Sequence, residues 1–211
     1  MKEKILGKLV DGIKRDIDLT NISLGEEYFY NSLSLCVIDA VFSIGVNYQS
    51  VQNTVRRYCD YYSLTPFRLH SKEDYPNHDH QETLDIFIKK IEDFGIEKFT
   101  NEVFQNRQRT SSQSGILKTE AVLKFAKILN EYSINSFVDI TNDKIDPNLE
   151  KEIKHIPGQK SGISLRYFLM LAGNDNLIKP DRMIIRYVEG ITSEKLSERE
   201  IILLIEGAVD I

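Results

Sequence analysis

The sequence is short of the features that mark membrane, secreted and metal-cluster proteins. It contains two cysteines, Cys36 and Cys59, fewer than the four thiolates that an iron–sulfur cluster requires. Two cysteines without a pairing pattern also fit a reducing compartment. No apolar run approaches the length of a membrane span, and charges recur in the amphipathic opening stretch more often than in a secretory signal. We therefore expect a soluble, cytoplasmic, globular protein.

Positive charge is also in deficit. The formal net charge is −5 at pH 7, whereas proteins bind duplex DNA largely by neutralising its phosphates. A nucleic-acid function therefore requires the basic residues to converge on one face while the acidic remainder faces solvent. The local excesses of positive charge are at Arg56, Arg57, Arg107, Arg109, Lys118, Lys160, Arg182 and Arg186.

The chain lacks any alternating series typical of β-strands. Apolar residues instead recur at helical spacing in three clear segments, and an Asp, Ser or Gly stands at several of the expected helix ends. A hydrophobic content of 41% is enough for one sizeable core or two small lobes. We predict an all-α fold, with helices over the segments that contain Leu84, Phe87 and Ile91, then Val122, Phe125 and Leu129, and finally Ile201, Leu204 and Ile205.

The segment 156–187 is the most informative part of the chain. Pro157 and Gly158 end one helix and begin a tight turn, Gly162 permits a second unusual backbone conformation, and residues 163–172 form an apolar run of helical length. Unpaired amides at the start of the second helix would cradle an anion such as a DNA phosphate. We expect those amides on Gln159, Lys160, Ser161 and Gly162, with Lys160 adding a positive charge.

A short loop leads from this unit to Asp181. Gly173 ends the preceding helix, and Lys179-Pro180 imposes an extended entry, so Asp181 stands where a helix N-cap belongs. Capping is the structural role of such a residue. A helix N-terminus also favours the ionised carboxylate, so Asp181 suits catalysis as well, and the two roles are compatible.

These residues give the chain a resemblance to the helix-hairpin-helix DNA glycosylase superfamily, the endonuclease III-like proteins. Ile156-Pro157-Gly158 is similar to the Leu-Pro-Gly-x-Gly hairpin of that family, and Asp181 with Arg186 is similar to its Val-Asp-x-x-x-x-Arg pattern. The resemblance implies two helical lobes with a cleft between them. It implies an N-terminal helix (1–27) packing with the C-terminal lobe, a central lobe (28–140), and a helix-hairpin-helix and aspartate region (141–211).

Three departures from the family pattern bear on the chemistry and on the turn. Gly162 stands where bifunctional relatives place a Schiff-base lysine, which argues against a lyase, and Lys160 replaces the usual second hairpin glycine. The family's four-cysteine cluster is absent. The resemblance therefore implies a monofunctional enzyme that needs no cofactor, because a carboxylate and water suffice for hydrolysis.

The function so implied is excision of a damaged, mispaired or modified base from double-stranded DNA. Asp181 would be catalytic, and the base would first be flipped out of the stack. Asn47, Tyr48 and Gln49, expected in the loop after an early helix, are the gap-filling candidates, although Tyr48 is equally a core residue. DNA contacts are predicted for Arg107, Arg109, Lys118 and Arg182, in addition to Gly158, Gln159, Lys160, Ser161 and Gly162 of the hairpin.

Three structural alternatives accompany this interpretation. Arg107 and Arg109 also fit a polar connection with solvated side chains. His78-Asp79-His80 lacks a third, distant ligand, so we expect a surface loop and no metal site. The chain as a whole also fits a non-catalytic helix-hairpin-helix module that binds DNA and uses Asp181 only as a cap.

Overall fold

A computed structural model of the chain describes residues 2–20, 29–68, 75–76, 81–141, 143–174, 177–178 and 182–209. Within these ranges the chain forms helices and the turns between them, with two isolated antiparallel bridges, Tyr30 with Phe67 and Arg109 with Leu117. The predicted all-α fold is confirmed.

The described residues form ten α-helices. In chain order they are α1 (Lys2–Asp16), α2 (Leu33–Phe42), α3 (Tyr48–Tyr62), α4 (Leu84–Phe94), α5 (Ile96–Phe99), α6 (Lys118–Glu131), α7 (Pro147–His155), α8 (Ile163–Leu171), α9 (Arg182–Thr192) and α10 (Glu198–Val209). Helix α5 continues into a π-helical turn, Thr100–Phe104, and a 3-10 turn covers Phe137–Asp139.

The chain divides into two compact units. The smaller unit comprises Met1–Leu24 and Ile178–Ile211, and the larger comprises Gly25–Leu177. Helices α7 and α8 therefore fall in the larger unit, whereas the sequence-based division into 1–27, 28–140 and 141–211 grouped them with the C-terminal helices. That division into functional lobes stays a prediction.

Helix α2 organises the larger unit. All ten of its residues are buried, as expected of a helix that is apolar on every side. It packs against α3, α4, α6 and α8. Aromatic rings complete this core, and those with no solvent exposure are Phe42, Tyr58, Phe87, Phe99, Phe104, Phe125 and Phe168.

Asp146 sets the start of α7, and Gly173 sets the end of α8. The Asp146 carboxylate accepts hydrogen bonds from the amides of Asn148 and Leu149, each at 2.9 Å, which satisfies two donors at the start of α7. The bond from the Leu149 amide is the main cause that lowers the pKa of Asp146. At the end of α8, Gly173 adopts a φ of +103°, which confirms the predicted stop.

The smaller unit contains α1, α9 and α10. Its fully buried apolar residues are Leu9, Val188 and Ile201. A capping box begins α10, because the Ser197 amide donates to Glu200 Oε2 at 2.8 Å and the Glu200 amide donates to Ser197 Oγ at 3.3 Å. None of the helices in the described ranges is long and apolar enough to cross a membrane.

Candidate nucleic-acid interface

A tight turn, residues 156–162, joins α7 to α8. Gly158 and Gly162 adopt φ values of +89° and +76°, the left-handed region that favours glycine. Gly162 directly precedes α8. Each glycine therefore serves the turn that the sequence predicts at this place.

The backbone amides of the turn are partly paired. The Gln159 amide donates to Ile156 O and the Gly162 amide donates to Gln159 O, both at 2.9 Å. The prediction that these two amides stay unpaired is wrong, because the turn uses them to close itself. The amides of Gly158, Lys160 and Ser161 donate to no acceptor in the part of the chain that the structure describes. Three donors therefore remain for a ligand.

The side chains of the turn face different ways. Lys160 and Ser161 are exposed, and Ser161 Oγ accepts a hydrogen bond from the Ile163 amide at 3.4 Å. Gln159 is 1% exposed, and its amide oxygen and nitrogen have no hydrogen-bond partner among the described residues. A buried amide without partners is costly. Gln159 therefore has no side-chain group at the surface for DNA.

The segment 105–117, which contains Arg107 and Arg109 and is called the arginine loop below, precedes α6 and folds back on itself. The Thr110 amide donates to Ile116 O at 2.9 Å, and the Lys118 amide donates to Gln108 O at 2.9 Å. Both arginines of the loop are exposed, and both already have partners. Arg107 Nη1 donates to Glu97 Oε2 at 3.0 Å and to Asn101 Oδ1 at 2.6 Å, and Arg109 Nε donates to Gly115 O at 2.8 Å.

Two contacts join the turn, the arginine loop and the start of α3 into one surface. A Cβ built on Gly158 would lie 2.4 Å from Thr110 Cβ, so the loop packs directly against the turn. Gln108 Nε2 donates to Ser50 Oγ at 3.1 Å, which ties the same loop to the first turn of α3. Three segments that the sequence singled out separately are thus contiguous.

The gap-filling candidates lie at the start of α3. Asn47 caps this helix, with its Oδ1 accepting from the Gln49 amide at 2.9 Å, and both residues are exposed. Tyr48 is the first residue of α3 and packs against the core of the larger unit. Gln49 is the second residue of this helix, so the prediction that Tyr48 and Gln49 lie in the loop is wrong. Asn47 and Gln49 are the exposed side chains at this position.

Lys118 occupies a structural position. It is 2% exposed, and its Nζ donates to Phe42 O at 2.7 Å and Ile44 O at 2.8 Å. Phe42 is the last residue of α2, so its carbonyl has no partner within that helix, and Ile44 lies two residues beyond it. Burial lowers the pKa of Lys118 to about 8. Its ammonium group closes α2 from within the core, so Lys118 takes no part in the contacts proposed below.

Positive charge gathers instead in a depression beside the turn. A depression of about 600 Å³ adjoins the turn and is lined by Pro147, Glu150, Lys151, Lys154, His155 and Lys160. Lys154 forms an ion pair with Glu150. Lys151 and Lys160 form no ion pair with any residue in the described ranges. The turn is therefore locally basic although the chain as a whole is acidic.

Asp181 and the side chain of Arg182 lie outside the described residues. Helix α9 begins at Arg182, so the helix start predicted immediately after Asp181 is present. Arg186 is exposed on the same helix. The catalytic role of Asp181 stays a prediction from the sequence.

Sequence reasoning missed a buried carboxylate at Glu82. Its oxygens accept hydrogen bonds from Ser34 Oγ at 2.5 Å and from the Tyr58 hydroxyl at 2.7 and 2.8 Å, and Lys90 Nζ lies 2.5 Å away. Burial, with Glu82 as the nearest charge, raises the pKa of Tyr58. In the sequence, an acidic residue just before an apolar helix indicates only a favourable charge at the helix N-terminus. No local pattern therefore predicts this network. Glu82 and Lys90 line a pocket of about 360 Å³.

The larger unit thus combines an all-α core with a two-helix turn that offers free amides beside basic side chains. The chain belongs to the family described as Domain of unknown function (DUF8548), whose model matches residues 7–211. No curated protein and no solved structure matches it. Because that family description specifies no activity, the resemblance to helix-hairpin-helix DNA glycosylases stays a prediction.

Proposed function

We propose that this protein is a monofunctional DNA glycosylase that grips duplex DNA at the turn between α7 and α8. The observation that carries the proposal is the set of unpaired amides on Gly158, Lys160 and Ser161. Backbone amides at the start of a helix suit phosphate, because they combine donors with the positive end of the helix dipole. The exposed ammonium group of Lys160 adds charge at the same place.

The neighbouring segments extend this contact. The arginine loop touches the turn through Thr110, and Arg107 and Arg109 are exposed on it. Arg107 can exchange its exposed partner Glu97 for a phosphate at little cost, because such surface ion pairs contribute about 0–1 kcal/mol. Contacts of this kind position the protein on DNA without reading its sequence.

Base excision requires the target nucleotide to leave the stack, at a cost of a few kcal/mol that is smallest for damaged or mispaired bases. In the proposed complex Asn47 and Gln49, exposed at the start of α3, fill the gap that the base leaves. The base enters a cleft between two helical lobes. Which base is taken depends on side chains of that cleft, and a damaged, mispaired or modified base each remains within the proposal.

The proposed chemistry is hydrolysis at Asp181. The bond between C1′ of the deoxyribose and the base nitrogen breaks, a water oxygen bonds to C1′, and the water proton goes to the departing base. Positive charge develops on the sugar as the base leaves, and a carboxylate stabilises that charge or orients the water. Gly162 supplies no amine for a Schiff base, so the abasic product keeps its strand intact. No cofactor takes part.

The experiment compares the protein with Asp181→Asn on duplexes that each carry one damaged, mispaired or modified base. Heat and alkali then reveal abasic sites as strand breaks. Asparagine is as good a helix cap as aspartate, so this variant removes the carboxylate and retains the capping role that the sequence predicts for position 181. We expect breaks with the parent protein and none with Asp181→Asn. Equal cleavage by both would rule out Asp181 as the catalyst.

A non-catalytic DNA-binding module is the second candidate, and it is favoured by one observation: the turn, the loop and the start of α3 form a contiguous surface within the larger unit. Salt-sensitive DNA binding with no cleavage of any duplex would support it. In either case Lys160→Glu should weaken binding, while Lys89→Glu, the same charge change at an exposed site of α4, should not.

A further inference from the structure

An ion pair on α7 lies directly against the turn. Glu150 and Lys154 pair at the i, i+4 spacing of this helix. A Cβ built on Gly162 would lie 2.6 Å from Lys154 Cε, 3.4 Å from its Nζ and 3.4 Å from Glu150 Oε1. Both charged groups therefore occupy the space that a side chain at position 162 would fill, beside the free amide of Ser161.

This pair is weakly held. The side chains of Lys154 and Glu150 are 38% and 50% exposed, and ion pairs open to water contribute little to stability. A phosphate group that reaches the turn meets the same ammonium group and bonds to it at least as well as a carboxylate does. Glu150 is therefore a replaceable partner.

We propose that Lys154 binds a DNA backbone phosphate at the turn, and that Glu150 competes with this phosphate for it. The inference rests on the proposed function, because it concerns the same DNA contact. In free protein the carboxylate of Glu150 occupies Lys154 and repels an incoming phosphate. In the complex Lys154 turns to the phosphate, and Glu150 is left to solvent.

The surroundings favour this exchange. Lys151 and Lys160 line the same depression as the pair, and neither forms an ion pair within the described ranges. The depression thus contains three ammonium groups and one carboxylate. A polyanion such as DNA supplies the negative charge that balances them. Glu150 lowers the affinity for DNA generally, so undamaged duplex is held less tightly during a search.

The test measures binding of a short, fluorescein-labelled, undamaged duplex by anisotropy over a range of sodium chloride concentrations. Lys154→Gln should lower the magnitude of the log–log salt slope by about 0.9, the value for one phosphate contact. If the contact contributes nothing in 1 M salt, a slope difference of about 0.9 makes the variant bind about eightfold more weakly than the parent protein at 0.1 M. Glu150→Gln should tighten binding by about 1.4-fold to fivefold, the range of one exposed ion pair.

Charge-matched controls come from α4, where Lys89 and Asp93 are exposed at the same i, i+4 spacing. Lys89→Gln and Asp93→Asn make the same charge changes away from the turn. Lys154→Arg keeps the charge and should retain the affinity, which separates loss of the contact from loss of the fold. Thermal unfolding of each variant completes the comparison.

A double variant separates competition for Lys154 from general repulsion. If Glu150 acts through Lys154, adding Glu150→Gln to Lys154→Gln should tighten binding no more than Asp93→Asn does. Equal gains with and without Lys154 would overturn the competition. If Lys154→Gln changes the affinity and the salt slope no more than Lys89→Gln does, the contact of Lys154 with phosphate is overturned. The proposed function would still stand if binding depends on Lys160. Failure of the parent protein to bind duplex would overturn both.

Discussion

The two compact units of this protein achieve their stability differently. The larger unit buries complete aromatic side chains, seven of which have no solvent exposure. Among the described residues of the smaller unit, four apolar side chains are buried, Leu9, Val10, Val188 and Ile201, and partly buried ones pack against this core. Its described helices also carry exposed apolar side chains, such as Met183 and Val209, each 78% exposed.

The difference follows from the sequences of the helices. Helix α2 is apolar on all sides, so it is surrounded by others and anchors a core. Helices α1 and α9 carry charged residues on one side, so each buries only one apolar face against its neighbours. A unit built from such helices buries less apolar area per residue, and its stability depends on close packing at a few contacts.

The proposed function divides along the same line. The free amides, the arginine loop and the gap-filling candidates all belong to the larger unit, whereas Asp181 falls in the sequence range of the smaller one. The proposal therefore assigns DNA binding to residues of the larger unit, and cleavage in addition to Asp181. Substitutions within each unit sharpen the comparison between them.

The largest expected effect comes from the aromatic core. Phe104 is fully buried, with ring centroids 4.9 Å from Phe99 and 5.3 Å from Phe42. Phe104→Ala should lower the free energy of unfolding by about 3–5 kcal/mol, because transfer energy and packing are both lost. Urea denaturation followed by circular dichroism measures the change. Ile86→Ala, at a side chain 48% exposed, should cost no more than about 0.5 kcal/mol, and similar costs for the two would contradict a tightly packed core.

A smaller effect tests the fit within the smaller unit. A Cβ on Gly12 of α1 would lie 2.5 Å from Ile191 Cδ1, whereas a Cβ on Gly7 of the same helix meets nothing within 4 Å. Gly12→Ala should destabilise by about 1–3 kcal/mol through overpacking. Gly7→Ala should stabilise by up to about 1 kcal/mol, because alanine is the better helix former. Thermal unfolding of both variants decides, and stabilisation by both would show that α1 and α9 are not closely fitted.

Local sequence patterns predicted most of this fold. Apolar spacing located α4, α6 and α10, and glycine and proline located the turn between α7 and α8. The π-helical turn after α5 could not be predicted, because it depends on Thr100, whose hydroxyl bonds to Ile96 O and to Thr119 of α6. That second partner is distant in sequence and follows from packing.

The candidate site was predicted in part, for the same reason. Turn residues located the segment for which we propose a phosphate contact, but which amides stay free depends on backbone angles that close the turn through Gln159 and Gly162. The charge of Lys118 indicated a surface contact, yet its side chain bonds to the end of a helix that precedes it by more than seventy residues. Contacts across the fold decide where such a side chain points.

Buried charge gives the sharpest contrast between the units. Lys118, Glu82 and Asp39 are buried in the larger unit, while Thr192 is the buried polar residue of the smaller one among the residues described. Burial lowers the pKa of Lys118 to about 8 in the folded protein, against about 10.4 for an unfolded chain. Between these values the unfolded state binds a proton that the folded state does not. Stability from this group therefore rises with pH across the window and is constant below it.

Lys118→Met tests this dependence, because it keeps an unbranched apolar side chain and removes the titrating group. The free energy of unfolding of the parent protein, minus that of the variant, should increase from about pH 8 to about pH 10 with a slope of at most about 1.4 kcal/mol per pH unit. Urea denaturation at several pH values gives this difference, and tyrosine and cysteine titrations common to both proteins cancel. The variant should also be destabilised at pH 7, since Phe42 O and Ile44 O lose their donor. A difference that stays flat across the window would contradict the lowered pKa of Lys118.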